Sequence, residues 1–169
     1  VAGTINLLKI MEKYNCKNLI FSSSATVYGE KSKPPFKESF IPRPVNPYAK
    51  SKFCVESILE DIAQSNKNSW KIISLRYFNP IGSHYTGLLG EVPKKLPNNI
   101  FPLLLDAYIK NKEIVIFGKD WPTYDGTCIR DYIHIEDLVE GHIKALENKL
   151  KFGFYYFNLG TGKGTSVLE

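Results

Sequence analysis

Two tyrosine–lysine pairs with the same spacing are of interest because a phenol beside an ammonium group can act as an acid–base catalyst. Tyr48 precedes Lys52 by four residues in the stretch NPYAKSK, and Tyr108 precedes Lys112 in the same way. A free tyrosine has a pKa near 10, so it is a poor base at neutral pH unless a nearby cation favours the phenolate. Because the chain has 10 tyrosines and is rich in lysine, the spacing alone does not identify a catalytic pair.

The surrounding apolar pattern distinguishes the two pairs. SKFCVESILEDIA has an apolar stripe at helical spacing, and extending this stripe back by seven residues leads to Tyr48, Ser51 and Lys52. These groups are therefore predicted to lie on the helix face that packs against a sheet. A buried ammonium group without a partner is costly, so a lysine there indicates a function. Lys112 follows a predicted helix end and is expected to reach solvent.

Strands and helices alternate along the chain, which predicts a doubly wound α/β sheet. Asn46 as a cap and Pro47 in the first turn mark the start of the Tyr48 helix. Residues 84–131 are predicted to form a loop-rich region, and a helix is expected to begin in GTSVLE. Other helices are predicted at residues 2–14 and IEDLVEGHIKALEN, and buried strands at NLIFSSS, WKIISLRYFNPIG and FGFYYFNLGTGKG.

Three separate segments should meet at one edge of this sheet. Ligands in open α/β sheets bind beyond the carboxyl ends of the strands. The serines Ser22–Ser24 follow one predicted strand, YFNPIG ends the next, and the Tyr48 helix should begin at the same edge. Serines at a strand end are, taken alone, more typical of backbone capping. The combination of the three segments favours a catalytic site.

Composition argues against several other functions. The net charge of +5 comes mainly from scattered lysines, with only three arginines, so nucleic-acid binding has little support. Three cysteines without a C-x-x-C pair, and three dispersed histidines, give no reason to predict a disulfide framework or a metal site. No signal peptide is seen, and no apolar stretch approaches the roughly 20 residues of a membrane helix. A cytoplasmic protein is expected.

Five motifs, in this order and spacing, resemble those of the extended short-chain dehydrogenase/reductases, most closely the UDP-glucose 4-epimerase branch. The resemblance implies an NAD(P)-binding Rossmann-like domain, of which residues 1–83 are the C-terminal part. Residues 84–169 would be mostly the nucleotide-sugar-binding region, with a returning helix and strand. An internal piece of a longer homodimeric protein is expected, which alone would be inactive and bind NAD poorly. The motifs are SSSATVYG, PYAKSK, RYFNPIG, PNNIFP and GTCIRDYIH.

The resemblance also implies an activity, reversible epimerisation at C4 of UDP-glucose and UDP-galactose in galactose metabolism, through a 4-keto sugar and a hydride held by NAD. Tyr48 would take the hydroxyl proton, and Ser24 would align that hydroxyl. Lys52 would favour the phenolate and hydrogen-bond the nicotinamide ribose. Tyr48 is thus also expected beside the cofactor, and Tyr77 and Phe78 resemble residues that line the nicotinamide.

Residues in the later motifs resemble those that bind the nucleotide of the substrate. Arg130 would neutralise the pyrophosphate, because a guanidinium fork suits phosphate oxygens. Asn79 and Asn99 would be amide donors. A buried strand position is the alternative for Phe117, since an apolar strand has the same pattern. The expected uridine platform consists of Ile100, Val115, Ile116 and Phe117.

The sequence also offers a second possible dinucleotide-binding loop, and related enzymes offer alternatives to the 4-epimerase activity. FNLGTGKGTS begins like a dinucleotide-binding loop, but Thr165 replaces its third glycine, and in the family this loop lies away from the cofactor. Nucleotide-sugar 4,6-dehydratases carry an Asp-Glu pair where Ala25 and Thr26 stand, which argues against dehydration. Another nucleotide-sugar epimerase or decarboxylase, or a non-catalytic nucleotide-sugar-binding protein, stays open.

Overall fold

The computed structural model describes residues 1–30, 33–65, 69–91, 93, 97 and 99–169, which divide into two compact units. The first unit comprises residues 1–78 and 140–159, and the second comprises 79–139 and 160–169. The described elements are α1 (Ala2–Lys13), β1 (Asn18–Ser22), a 3₁₀ helix (Ala25–Tyr28), α2 (Pro47–Ser65), β2 (Lys71–Tyr77), β3 (Asn79–Ile81), α3 (Ile100–Lys110), β4 (Ile129–His134), α4 (Ile135–Glu147), β5 (Gly153–Leu159) and β6 (Gly164–Ser166).

A three-stranded parallel sheet in the order β1-β2-β5 forms the centre of the first unit. Successive side chains of a strand point to opposite faces. Ile72 packs in a core cluster with Leu8 of α1 and Leu59 of α2, while Ile73 packs with Ala145 of α4. Helices therefore cover both faces, which is the doubly wound arrangement predicted from the sequence.

The start of α2 is set locally, as predicted. The backbone N–H of Ala49 donates to the Asn46 side-chain oxygen at 2.8 Å, the usual geometry of an N-cap. Pro47 occupies the first helical position, where its missing N–H is no loss. Val55, Leu59 and Ala63 are buried along the predicted stripe. This helix carries the Tyr48–Lys52 pair.

A smaller sheet in the order β3-β4-β6 lies in the second unit. β3 runs parallel to β4, and β6 pairs antiparallel with β4. The strand predicted through YFNPIG is in fact two strands, because β2 ends at Tyr77 and Asn79 already pairs with β4. Among the described residues of both units, no helix is long and apolar enough to cross a membrane.

In GTSVLE, Gly164–Ser166 forms β6 and residues 167–169 form no helix, so the helix predicted to begin there stays a prediction. The capping signal behind that prediction is nevertheless present. The N–H of Ser166 donates to the Glu169 carboxylate at 2.9 Å, and the N–H of Glu169 donates to the Ser166 hydroxyl at 3.2 Å. This reciprocal pair is a capping box.

Candidate functional site

Lys52 connects the first turns of α2 to the carboxyl end of β1. Its Nζ donates to the backbone oxygen of Ser22 at 2.8 Å and lies 5.6 Å from the centroid of the Tyr48 ring. It also lies 5.2 Å from the Phe21 ring centroid. The half-buried ammonium group thus has a carbonyl partner while it stays near the phenol. The Lys52 contacts bring together two of the three segments predicted to meet at this edge, and the parallel pairing of β1 with β2 places Tyr77, the start of the third, at the same edge.

The predicted burial of Tyr48 and Ser51 is wrong. The exposed fraction of Tyr48 is 53%, and Ser51 is exposed with its hydroxyl donating to the Tyr48 backbone oxygen at 2.7 Å. The packed face of α2 runs instead through Ala49, Glu56 and the apolar stripe, so the phenol lies beside that face. An open position suits a group that must exchange a proton with a bound molecule.

Ser24 lies two residues beyond β1 and caps the 3₁₀ helix. It is 8% exposed, and its hydroxyl oxygen accepts from the N–H of Thr26 at 3.3 Å and from the Thr26 hydroxyl at 3.0 Å. Among the hydrogen bonds described for this part of the chain, the Ser24 hydroxyl acts only as an acceptor. Its own proton is therefore available to donate to a ligand.

Tyr77 and Phe78 lie on opposite sides of the sheet. The Tyr77 ring lies 6.1 Å from the His142 ring of α4, whereas the Phe78 ring stacks on Phe36 at 6.2 Å. Ser22 Oγ is hydrogen-bonded to His142 Nε2 at 3.3 Å at the same end of the sheet. The two predicted cofactor residues thus have separate surroundings, and their role stays a prediction.

Sequence reasoning missed a buried polar cluster beneath these segments. Glu56 of α2 and Arg76 of β2 form a two-pronged ion pair, with Nε–Oε1 at 2.9 Å and Nη2–Oε2 at 2.7 Å. Burial by itself would lower the pKa of Arg76, but hydrogen bonds to Glu56 and Tyr28 and their charges raise it overall. The sequence does contain a signal for this cluster. Ser74 and Arg76 are polar residues two positions apart in the otherwise apolar strand β2, so both lie on its α2-facing side.

The predicted nucleotide-binding residues lie in the second unit at three places. Asn79 is on β3, and the exposed Arg130 is on the adjacent β4, where its Nη1 donates to the Ile129 oxygen at 3.0 Å. Asn99 and Ile100 begin α3, with the Asn99 amide 3.4 Å from Glu91 Oε1. Within the described residues, no hydrogen bond or ring contact joins these groups to one another or to Val115, Ile116 and Phe117.

Phe117 is not the core strand residue that the sequence allowed as an alternative. It is 86% exposed, and residues 112–118 form no regular secondary structure. An exposed aromatic ring is free to stack on a planar ligand, although its role as a base platform stays a prediction.

The glycine loop after β5 is already occupied by a carboxylate of the chain. Asp131 Oδ1 accepts from the Thr161 N–H at 2.9 Å, and Oδ2 accepts from the Gly162 N–H at 2.8 Å. The loop leads into a strand, not into a helix whose N-terminus could bind phosphate. These donors are not free to cradle a pyrophosphate.

A parallel sheet with helices on both faces, and a Tyr–Lys helix that starts at the carboxyl end of a serine-ended strand, define a Rossmann-like fold. The chain belongs to the NAD dependent epimerase/dehydratase family, whose model matches residues 1–160. The family resemblance found in the motifs is confirmed.

Within this family, the chain is similar to proteins that are named UDP-glucose 4-epimerases. The chain is 50% identical to the bifunctional UDP-glucose 4-epimerase and UDP-xylose 4-epimerase 3 of Arabidopsis thaliana over 174 residues, covering all of this chain and 49% of that protein. The crystal structure of UDP-glucose 4-epimerase from Bifidobacterium longum in complex with NAD+ and UDP matches with a TM-score of 0.92 and 47% identity, covering 98% of this chain and 50% of that one.

A second solved structure contains a nucleotide sugar. UDP-glucose 4-epimerase from Stenotrophomonas maltophila, with bound NAD and formylated UDP-arabinopyranose, has a TM-score of 0.92 and 40% identity, covering 99% of this chain and 50% of that one. The chain spans about half the length of the curated relatives it matches.

Proposed function

We propose that the full-length protein interconverts UDP-glucose and UDP-galactose by reversible epimerisation at C4. The contact that carries this proposal is the Lys52 bridge, which holds an ammonium group at the Ser22 oxygen and beside the Tyr48 ring. Relatives that are about 50% identical and named UDP-glucose 4-epimerases support it.

The proposed chemistry divides among three side chains of the first unit. Tyr48 takes the proton of the sugar 4-hydroxyl and later returns one, since its phenol is exposed beside the cation. Lys52 stabilises the phenolate by its charge. Ser24 donates a hydrogen bond to the 4-oxygen and holds it in line. The 4-keto sugar must then present its other face before the proton and hydride return.

The residues at this edge fit the nicotinamide end of NAD. The ammonium group of Lys52 has three N–H donors and gives one to Ser22, which leaves two for ribose hydroxyls. Tyr48, Tyr77 and Phe78 are the other proposed cofactor neighbours. Held there, NAD would supply a reversible acceptor for the C4 hydride, so no net reduction of the cofactor is expected.

Nucleotide binding is proposed for residues of the second unit. Arg130 would pair with the pyrophosphate, and Asn79 and Asn99 would donate amide hydrogens to it. The apolar side chains of Ile100, Val115, Ile116 and Phe117 would contact the uridine, with the exposed ring of Phe117 stacking on the base.

A second candidate is 4-epimerisation of UDP-pentoses. The Arabidopsis thaliana relative is named for UDP-xylose as well as UDP-glucose, and the Stenotrophomonas maltophila structure contains formylated UDP-arabinopyranose. A pentose lacks the C6 hydroxymethyl group, and the proposed chemistry at C4 does not use that group. Rates with UDP-xylose and UDP-galactose, measured on the same preparation, distinguish the two substrates.

We also propose a cytoplasmic homodimer acting in galactose metabolism. The three free cysteines are compatible with a reducing compartment. The family resemblance implies a dimer contact through a pair of helices, and we propose that α2 is one of them. The exposed Cys54 on α2 offers a direct test. Analytical ultracentrifugation should give a dimer, and Cys54→Arg should weaken it. A monomeric wild-type protein would contradict this part of the proposal.

The catalytic proposal is tested by turnover. Full-length protein supplied with UDP-galactose is expected to form UDP-glucose, measured by chromatography, without net accumulation of NADH. UDP-sugar binding without conversion would instead support a non-catalytic binding protein. Loss of carbon dioxide from a UDP-uronate would support a decarboxylase.

A further inference from the structure

The ion pair between Glu56 and Arg76 lies at the centre of the first unit. Glu56 and Arg76 are 0% and 1% exposed, and Ser74 Oγ donates to Glu56 Oε1 at 2.8 Å. The Arg76 guanidinium carbon lies 4.0 Å from the Tyr156 ring centroid. The carboxylate and the guanidinium are thus held by several contacts, and their parallel geometry fixes direction as well as distance.

The same cluster reaches the segment that follows Ser24. Arg76 Nη1 donates to the Tyr28 hydroxyl at 3.2 Å, and that hydroxyl donates to Asn158 Oδ1 at 2.8 Å. Tyr28 is the last residue of the 3₁₀ helix capped by Ser24, and Asn158 is on β5. One connected set of hydrogen bonds therefore joins α2, β2, β5 and the 3₁₀ helix.

Stability alone does not account for such a cluster. Replacing a buried ion pair by well-packed apolar residues of similar volume is often neutral or stabilising, because two charges must be desolvated. A two-pronged ion pair is also directional, so its geometry favours one position of α2 relative to β2.

The position of α2 relative to β2 is important because Glu56 and Arg76 each lie next to residues of the candidate site. Glu56 is one helical turn after Lys52 and two turns after Tyr48, so these residues are on neighbouring positions of α2. Arg76 directly precedes Tyr77 at the end of β2. A displacement of about 1 Å at catalytic groups can cost about a hundredfold in rate.

We propose that Glu56 and Arg76 are positioning residues, whose ion pair sets α2, and with it Tyr48 and Lys52, in place against the carboxyl ends of the strands. The pair touches no reacting atom in this proposal. Its effect on catalysis rests on the proposed epimerase function, whereas its effect on the start of α2 does not.

The test replaces the whole charged centre in the full-length protein. Glu56→Leu, Ser74→Ala and Arg76→Met together leave no unpaired charge, so the fold is expected to persist. The kcat for UDP-galactose is expected to fall about 10- to 100-fold, with UDP affinity by calorimetry unchanged. Amide hydrogen exchange at residues 47–53 is expected to become faster. A folded triple variant with wild-type kcat and exchange would overturn the proposal.

Leu59→Ala is the matched control on the same helix. Leu59 is fully buried, so its truncation lowers the melting temperature while the ion pair stays intact. Its kcat is expected to stay near the wild-type value. If Leu59→Ala loses as much kcat as the triple variant at similar stability, general destabilisation explains the loss and the positioning role fails.

If the triple variant does not fold, variants that each remove a single hydroxyl group test the positioning role of the ion pair. Tyr28→Phe and Ser74→Ala each remove one hydroxyl from the cluster, and each is expected to lower kcat without weakening UDP binding. Wild-type kcat in both would overturn the proposal. If the wild-type protein converts no UDP-sugar, the proposed function fails, and hydrogen exchange at residues 47–53 in these variants still decides the positioning role.

Discussion

The phenol of Tyr48 is the group that the proposed chemistry needs most. Tyr48→Phe in the full-length protein is expected to lower kcat about 10²- to 10⁴-fold, the range of positioned acid–base catalysis, with little change in UDP affinity. Steady-state kinetics and calorimetry check both quantities. Tyr108→Phe is the matched control, because Tyr108 has the same spacing to Lys112 but is 86% exposed. A Tyr48→Phe variant with more than half of the wild-type kcat would contradict the assignment.

A second phenol gives a prediction about stability and pH. Tyr156 donates to Glu60 Oε2 at 2.8 Å, and burial, followed by this hydrogen bond and the charge of Glu60, raises the pKa of Tyr156. Because the folded-state pKa lies above the unfolded value of about 10, the phenol's contribution to stability is fully present below that pH. It is lost as the pH rises above about 10, where the unfolded state releases the proton first.

Tyr156→Phe should therefore flatten the alkaline loss of stability. At pH 7 the variant is expected to lose about 1 kcal/mol of unfolding free energy with the hydrogen bond. In urea titrations above pH 10 the difference from wild type should shrink. Tyr155→Phe, on the opposite face of β5, should leave the alkaline loss in place. A constant difference across this pH range would show that Tyr156 does not titrate as expected.

At the level of single residues, local patterns were predictable and long-range partners were not. The exposed Lys112 agrees with the prediction, because its neighbours alone place it beyond a helix end. Tyr48 proved exposed because the packed face in the first turn of α2 runs through its neighbour Ala49. The partner of Glu56 lies 20 residues away, so helical periodicity did not indicate it.

Among the elements, the start of α2 is the most consequential for the candidate site. Asn46→Ala removes the acceptor for the Ala49 N–H and is expected to cost about 1 kcal/mol of unfolding free energy. Because Tyr48 lies in the first turn, kcat should fall as well. Urea unfolding and kinetics measure these effects. Asn46→Ser, which keeps a capping oxygen, should restore both, and failure of Ser to do so would mean that the cap is not the cause.

Elements defined by local signals were predicted well, and those defined by pairing were not. α2 has a cap, a first-turn proline and an apolar stripe, all readable within 20 residues of sequence. β3 was merged with β2 because Tyr77, Phe78 and Asn79 look like one continuous strand, whereas the change of sheet depends on pairing with β4. β6 was missed for the same reason, since its partner Ile129–Asp131 lies more than 30 residues earlier.

At the scale of the whole molecule, the glycine loop that resembles a dinucleotide-binding motif is not free to hold a phosphate. The backbone N–H groups of Thr161 and Gly162 are bound by Asp131, and the proposed contacts of Lys52 and Tyr48 reach only the nicotinamide end. The 169-residue chain by itself is therefore expected to bind NAD much more weakly than the full-length protein, and to be inactive.

The predicted difference in NAD affinity is tested by calorimetric titration of NAD into the 169-residue chain and into the full-length protein. Circular dichroism confirms that the 169-residue chain is folded. The expected loss has a physical cause, because most of the charge of NAD is on its pyrophosphate, and phosphate binding draws on aligned N–H donors or a guanidinium group. In the full-length protein, Lys52→Met should weaken NAD binding by much less than the expected difference in affinity between the two proteins. Equal NAD affinity of the two proteins would mean that the 169 residues contain a phosphate site of their own, and the roles given to their loops would have to be reassigned.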